Sequence, residues 1–175
     1  MDALRAPLTA AFDRPMSDPR RTRRYGRALL RIFSRPLRKG DAVPEARLRR
    51  AEKRLGVALP GAMRDYYLLA GSAAENREHN VLFTPDELAL EGGYLVFMEE
   101  NQAVVHWGIP LSLTRRADPQ VWQRVNADIP EWHSEDMTFS VFIVKNLAWQ
   151  RGVELWNNRM HPTSGAMAKR RPARR

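Results

Sequence analysis

The sequence contains no cysteine. That excludes disulfides, thiolate zinc sites and a cysteine nucleophile, and it fits a reducing compartment, so a cytoplasmic protein is expected. No apolar run approaches the ~18 residues of a membrane span, and no membrane partner is expected. Histidine is scarce as well: the 4 present, at positions 79, 106, 133 and 161, show no i, i+4 ligand spacing. Each reads as a core-edge or surface residue, and no metal or other cofactor is expected, although carboxylates alone could hold a magnesium ion. There is no Gly-x-Ser-x-Gly elbow, no phosphate-cradling glycine loop and no internal repeat. Catalysis therefore has no residue set to rest on, and the chain is read as a non-enzyme.

What the sequence does have is charge, unevenly placed. The net charge of 175 residues is +9. Residues 1–40 carry 11 arginines and lysines against 3 aspartates, and residues 169–175 carry 5 basic residues and no acid. The stretch between them has 13 basic and 17 acidic residues, a mildly acidic core with basic ends. That asymmetry says more about partners than the overall pI does.

The length fits one domain with a real core. Residues 1–22 read as a flexible basic lead. Asp2, Asp13 and Asp18 argue against a mitochondrial presequence, and Arg20-Arg21 is not followed by the apolar stretch of a twin-arginine signal. From Arg23 to about Ser34, Tyr25, Leu29, Ile32 and Phe33 form one helical stripe with arginines on the other face. A second helix is expected over Pro44 to Leu55, stopped by Gly56, and a third from Pro60, stopped by Gly71. Val81-Leu82-Phe83 is a short strand, and Thr84 to Leu88 a capped turn. Two glycines then open the most ordered stretch, Gly92 to Pro110, which Pro110 closes. Its two apolar runs, split by Glu100 to Ala103, predict a central hairpin with Tyr94, Val96 and Met98 on one face and Leu95, Phe97 and Glu99 on the other. Val121 to Val125 predicts a further strand. Ser134 with Glu135 and Asp136 reads as a helix cap and acidic first turn, opening a helix that carries Phe139, Phe142, Ile143 and Leu147. Val153 to Trp156 fits either a helix or a strand. Residues 161–175 read as a disordered basic tail.

Several of these pieces, in this order, resemble the Smi1/Knr4 family, the SUKH superfamily. Leu55-Gly56-Val57-Ala58-Leu59-Pro60 followed by Tyr66-Tyr67-Leu68-Leu69-Ala70-Gly71 is similar to its opening helices. Tyr94 to Gln102 and Val104 to Ile109 resemble its central hairpin, and Asp118-Pro119-Gln120-Val121-Trp122 its following strand. The likeness spans about residues 44 to 150 and extends to a domain over 23–160. It implies an α+β domain of helices around a largely antiparallel sheet. Bacterial members are similar to immunity proteins that bind and block a toxin domain, often a nuclease or deaminase, whereas yeast relatives act as scaffolds in cell-wall signalling.

On the residues themselves, Glu99 and Glu100 invite an acid/base reading, but neighbours on a strand point to opposite faces unless the strand bulges. They are read as the hairpin end, with Asn101 and Gln102 in the turn and partner contact as the functional alternative. Of Trp107, Trp122 and Trp132, Trp107 is expected in the core. Trp132, after Pro130-Glu131, is expected as an exposed anchor in a loop, with Glu131, Glu135 and Asp136 facing a basic partner. The leading expectation is thus a monomeric protein that binds a cognate toxin domain or another protein. The alternative is a nucleic-acid-associated or scaffold protein using its arginine-rich ends, with Arg20, Arg21, Arg23, Arg24, Arg170 and Arg171 as phosphate contacts.

Overall fold

The hairpin punctuated by glycine and proline is the middle of the sheet. In the computed structural model, which describes residues 18–127 and 131–154, strand β3 (Tyr94–Glu99) pairs antiparallel with β4 (Val105–Pro110). On its other edge β3 meets both β1 (Val81–Leu82) and β2 (Ala89–Glu91). The β2–β3 turn is Gly92-Gly93, with φ of 53° and 83°. Two successive positive φ values match the twist of a two-residue hairpin, and glycine adopts them without strain. Beyond β4 the sheet continues through β5 (Gln120–Val125) to β6 (Trp132–Thr138), and every pairing is antiparallel.

Four helices complete an α+β fold: α1 (Pro19–Phe33), α2 (Glu45–Leu55), α3 (Gly61–Ala70) and α4 (Phe139–Gln150). Their apolar stripes and one face of the sheet form the core. Tyr25, Leu29 and Ile32 of α1, Tyr66 and Tyr67 of α3 and Phe139 and Ile143 of α4 are fully buried with Leu95, Phe97 and Ile109 of the hairpin. Phe97 meets Phe139 and Phe142 edge-on at centroid separations of 5.2 and 5.9 Å. The two α3 tyrosines bond through their hydroxyls inside the fold, Tyr66 to Asn76 Oδ1 and Tyr67 to the Phe83 carbonyl.

Several expectations are corrected. Helix α1 starts at Pro19 rather than Arg23, because the Asp18 carboxylate accepts from the Arg20 amide and caps it. Arg20 and Arg21 thus sit in the helix rather than in a flexible lead. Strict alternation fails in β3: the register shifts between Val96 and Met98, so Met98 joins Leu95 and Phe97 on the core side. The stretch opened by Ser134 is a strand, and α4 begins only at Phe139. Its first turn is capped from a distance: Asp118 accepts from the Ser140 amide at 2.9 Å, and Pro119 O from the Phe139 amide at 2.8 Å. Gly71 ends α3 with a right-handed φ of −63°, not in the left-handed conformation that Gly56 adopts at the end of α2. Val153 and Glu154 form neither helix nor strand. The expectations for residues 1–17 and 155–175, including Arg170, Arg171 and the tail, fall outside the described residues.

Candidate functional site

All four helices pack on one face of the sheet, and among the described residues none covers the other. That open face follows from pairing. Val96 lies opposite Gly108, Gly108 opposite Trp122, and Trp122 opposite Ser134, while Glu99, His106, Arg124 and Trp132 form a second row across four strands. Side chains in register across a sheet point the same way, so both rows face away from the helices.

An aromatic cluster occupies this face. The rings of Tyr94 and Trp132 stack with centroids 3.9 Å apart and planes 12° from parallel, and Trp122 lies 6.2 Å from Tyr94, tilted. The stack is possible because of Gly108. A Cβ there would stand 2.9 Å from Trp132 Cη2 and 3.2 Å from Tyr94 Cβ, inside contact distance. Trp132 therefore lies flat across β4 and reaches the Gly92 turn. Arg124 sits over Trp132, its guanidinium carbon 5.6 Å from the ring centroid, and is paired with Glu91 on β2. Burial under this cluster pushes the Tyr94 phenol above its ordinary pKa.

Polar groups frame the aromatics. Glu99 Oε2 lies 3.6 Å from His106 Nε2, and the other ring nitrogen is 3.2 Å from Asn126 Oδ1. At the far end Ser134 Oγ accepts from Gln120 Nε2 at 2.8 Å and from the Asp136 amide at 3.0 Å. Two donors on this face, Trp122 Nε1 and Arg124 Nε, are buried and have no hydrogen-bond partner. Groups left so are uncommon, because each costs roughly 1–3 kcal/mol.

The residues singled out in the sequence do not share one place. Trp132, Glu99 and Asp136 belong to the open face, with exposed Glu131 at its edge. Trp132 is corrected from a loop anchor to a half-buried strand residue. Glu135 lies on the opposite side of β6, where it accepts from Trp107 Nε1 at 2.7 Å, so it does not share a face with Asp136. Glu100, Asn101 and Gln102 form the hairpin tip. The Glu100 carboxylate accepts from the Gln102 amide at 3.0 Å, Ala103 takes a positive φ of 56°, and Asn101 meets His79 at 3.2 Å. The β3 bulge precedes Glu99 and does not bring the two glutamates together. Arg21 is withdrawn from any phosphate surface by a buried ion pair with Asp65 at 2.6 Å.

Tyr94, Arg124 and Glu91 went unrecognised in the sequence as parts of a site. The period-two spacing of Trp122 and Arg124 on β5 carried part of the signal, but their meeting with Trp132 shows only once β6 is known to be a strand. Among the described residues Trp149 is the exposed tryptophan, 66 % accessible, beside a groove of about 230 Å³ between β6 and α4 that Glu135 and Trp107 also line. Among the described residues no three His, Asp or Glu side chains converge as a metal site would need, and no helix is long and apolar enough to cross a membrane. Comparison with known protein families, curated proteins and solved structures returned no match. The Smi1/Knr4 resemblance therefore rests on its ordered motifs.

Proposed function

We propose that this chain is a non-enzymatic protein-binding module that docks a partner protein on the open face of its sheet. The observation that carries the reading is the Tyr94–Trp122–Trp132 cluster on an uncovered face, with two donors beneath it left unpaired. Interface energy concentrates in such aromatic and arginine side chains ringed by polar groups. Glu91, Glu99, Asp136 and Glu131 outnumber Arg124 on and around the face, which suits a partner with a basic surface. Taken with the Smi1/Knr4 resemblance, the partner is a toxin domain such as a nuclease or deaminase, and the chain acts as its immunity protein in the cytoplasm.

The test is a pull-down with the full chain and with Trp132→Ala, washed at low and high salt. A single stoichiometric protein held by the native chain at high salt and lost by the variant is expected. That protein should be toxic when expressed alone and harmless when co-expressed with the chain. Equal retention by a folded Trp132→Ala variant removes the open face from the reading, and a retained protein with no toxicity removes the immunity role.

A further inference from the structure

Helix α1 carries six arginines and no acidic residue. Its buried side is accounted for: Tyr25, Leu29, Ile32 and Phe33 pack in the core and Arg21 pairs with Asp65. The other five, Arg20, Arg23, Arg24, Arg27 and Arg31, are exposed. At 100° per residue they fall within an arc of about 100°, and at 1.5 Å rise they span about 16 Å of the helix. None of the five makes an ion pair with a described residue. By contrast Arg35, Arg47, Arg64, Arg77, Arg124 and Arg151 each meet a carboxylate.

This arrangement works against the helix that bears it. Like charges at i, i+3 and i, i+4 on a helix repel. Arg20, Arg23 and Arg24 also stand in the first turns, where the helix dipole favours anions. The Asp18 N-cap carboxylate offsets this in part at the helix start, beside Arg20, but Arg23, Arg24, Arg27 and Arg31 form no ion pair with a described residue. A partner bearing closely spaced negative charges would offset both.

We propose that the α1 ridge binds the phosphate backbone of a nucleic acid, independently of base sequence. The side chains are all arginine, whose planar guanidinium matches phosphate oxygens in bidentate geometry. Successive ridge residues Arg20, Arg24, Arg27 and Arg31 are about 4.5–6 Å apart along the axis, a continuous track rather than a point site. A lipid surface fits less well. An interfacial helix buries its apolar face in the bilayer, and that face of α1 is already spent in the core, leaving Leu30 as the exposed large apolar residue of the helix. The ridge lies on the helix side of the sheet, away from the open face.

The test measures binding of a labelled 20-base-pair DNA duplex and a 20-nucleotide RNA strand to the full chain at 50 and 200 mM salt. The comparison is with R20Q/R24Q/R27Q/R31Q. Four phosphate contacts contribute a log–log salt slope of about −3.6 on duplex, so the native chain's advantage over the variant should shrink about 100-fold between the two salts. Glutamine keeps the helix propensity, and the variant's melting temperature should hold or rise as repulsion is relieved. R27Q/R31Q, a milder change, should remove about half of the slope difference. Equal affinity and slope for native and variant chains overturn the proposal, as does absence of binding at 50 mM salt. Phosphatidylserine vesicles that bind more tightly than either nucleic acid overturn it in favour of a membrane surface.

Discussion

Gly108 and Gly71 are needed for what they lack beyond Cα, not for unusual φ. At Gly71 an added Cβ would stand 2.8 Å from Tyr67 Cα and 2.9 Å from Val43 Cγ2. This gives a physical reason for the tyrosine and glycine four residues apart, which sequence reading took for a helix stop. Gly71→Ala should lower stability by about 1–3 kcal/mol, read in urea unfolding, because the Tyr67 ring and Val43 have no room to give way. Gly108→Ala acts on the open face instead. The methyl should lift Trp132 off Tyr94, so the near-ultraviolet circular dichroism of the stacked rings should fall while far-ultraviolet signal and core packing hold. An unchanged near-ultraviolet spectrum would mean that Trp132 does not rest on Gly108. The Trp-Gly pair was visible in the sequence. Its purpose was not, since the ring that needs the space comes from residue 132, two strands away.

The elements divide by how local their causes are. Helices α1 to α3 and the β3–β4 hairpin were legible, because an apolar stripe, a glycine stop or a polar turn sits within the segment itself. Strand β6 was not. Trp132 to Thr138 has no apolar alternation, since its outer face meets solvent, and Ser134-Glu135-Asp136 imitates a helix cap. Only pairing with β5, itself read as a strand, fixes it. The link between α1 and α2 is likewise long-range. Arg35, just past α1, bonds Asp41 through Nη1 at 2.8 Å and Glu75 through Nε and Nη2 at 2.8 Å. The Arg35 guanidinium holds the Asp41 carboxyl below its ordinary 3.8. A depressed folded pKa gives stability that is complete above the unfolded value and is lost as pH falls through the folded one. Arg35→Gln, which strands two largely buried carboxylates, should lower stability at pH 7. That deficit should narrow as the pH drops below 3.8. A deficit equally large at pH 7 and pH 2.5 would show that Arg35 acts through packing alone.

The whole molecule presents two unlike surfaces. The open sheet face is aromatic and acidic, while the outer side of α1 is basic, and the helix layer lies between them. The core charge of the sequence hinted at such a division, but only the fold shows that Arg21 is withdrawn from the basic surface and Glu135 from the acidic one. If both surfaces bind, they should do so without interference. Substitutions well separated and sharing no partner add to within about 0.3–0.5 kcal/mol, so Trp132→Ala should leave duplex binding unchanged within about twofold. R20Q/R24Q/R27Q/R31Q should likewise leave retention of the protein partner unchanged. The discriminating experiment is to saturate the chain with duplex DNA and then titrate the partner found by pull-down, following complex size by light scattering. A ternary complex with unaltered partner affinity is expected. Mutually exclusive binding would place both ligands on one surface. In that case the arginines of α1, rather than the aromatics of the sheet, would be where the partner docks, if their substitution also abolished its retention.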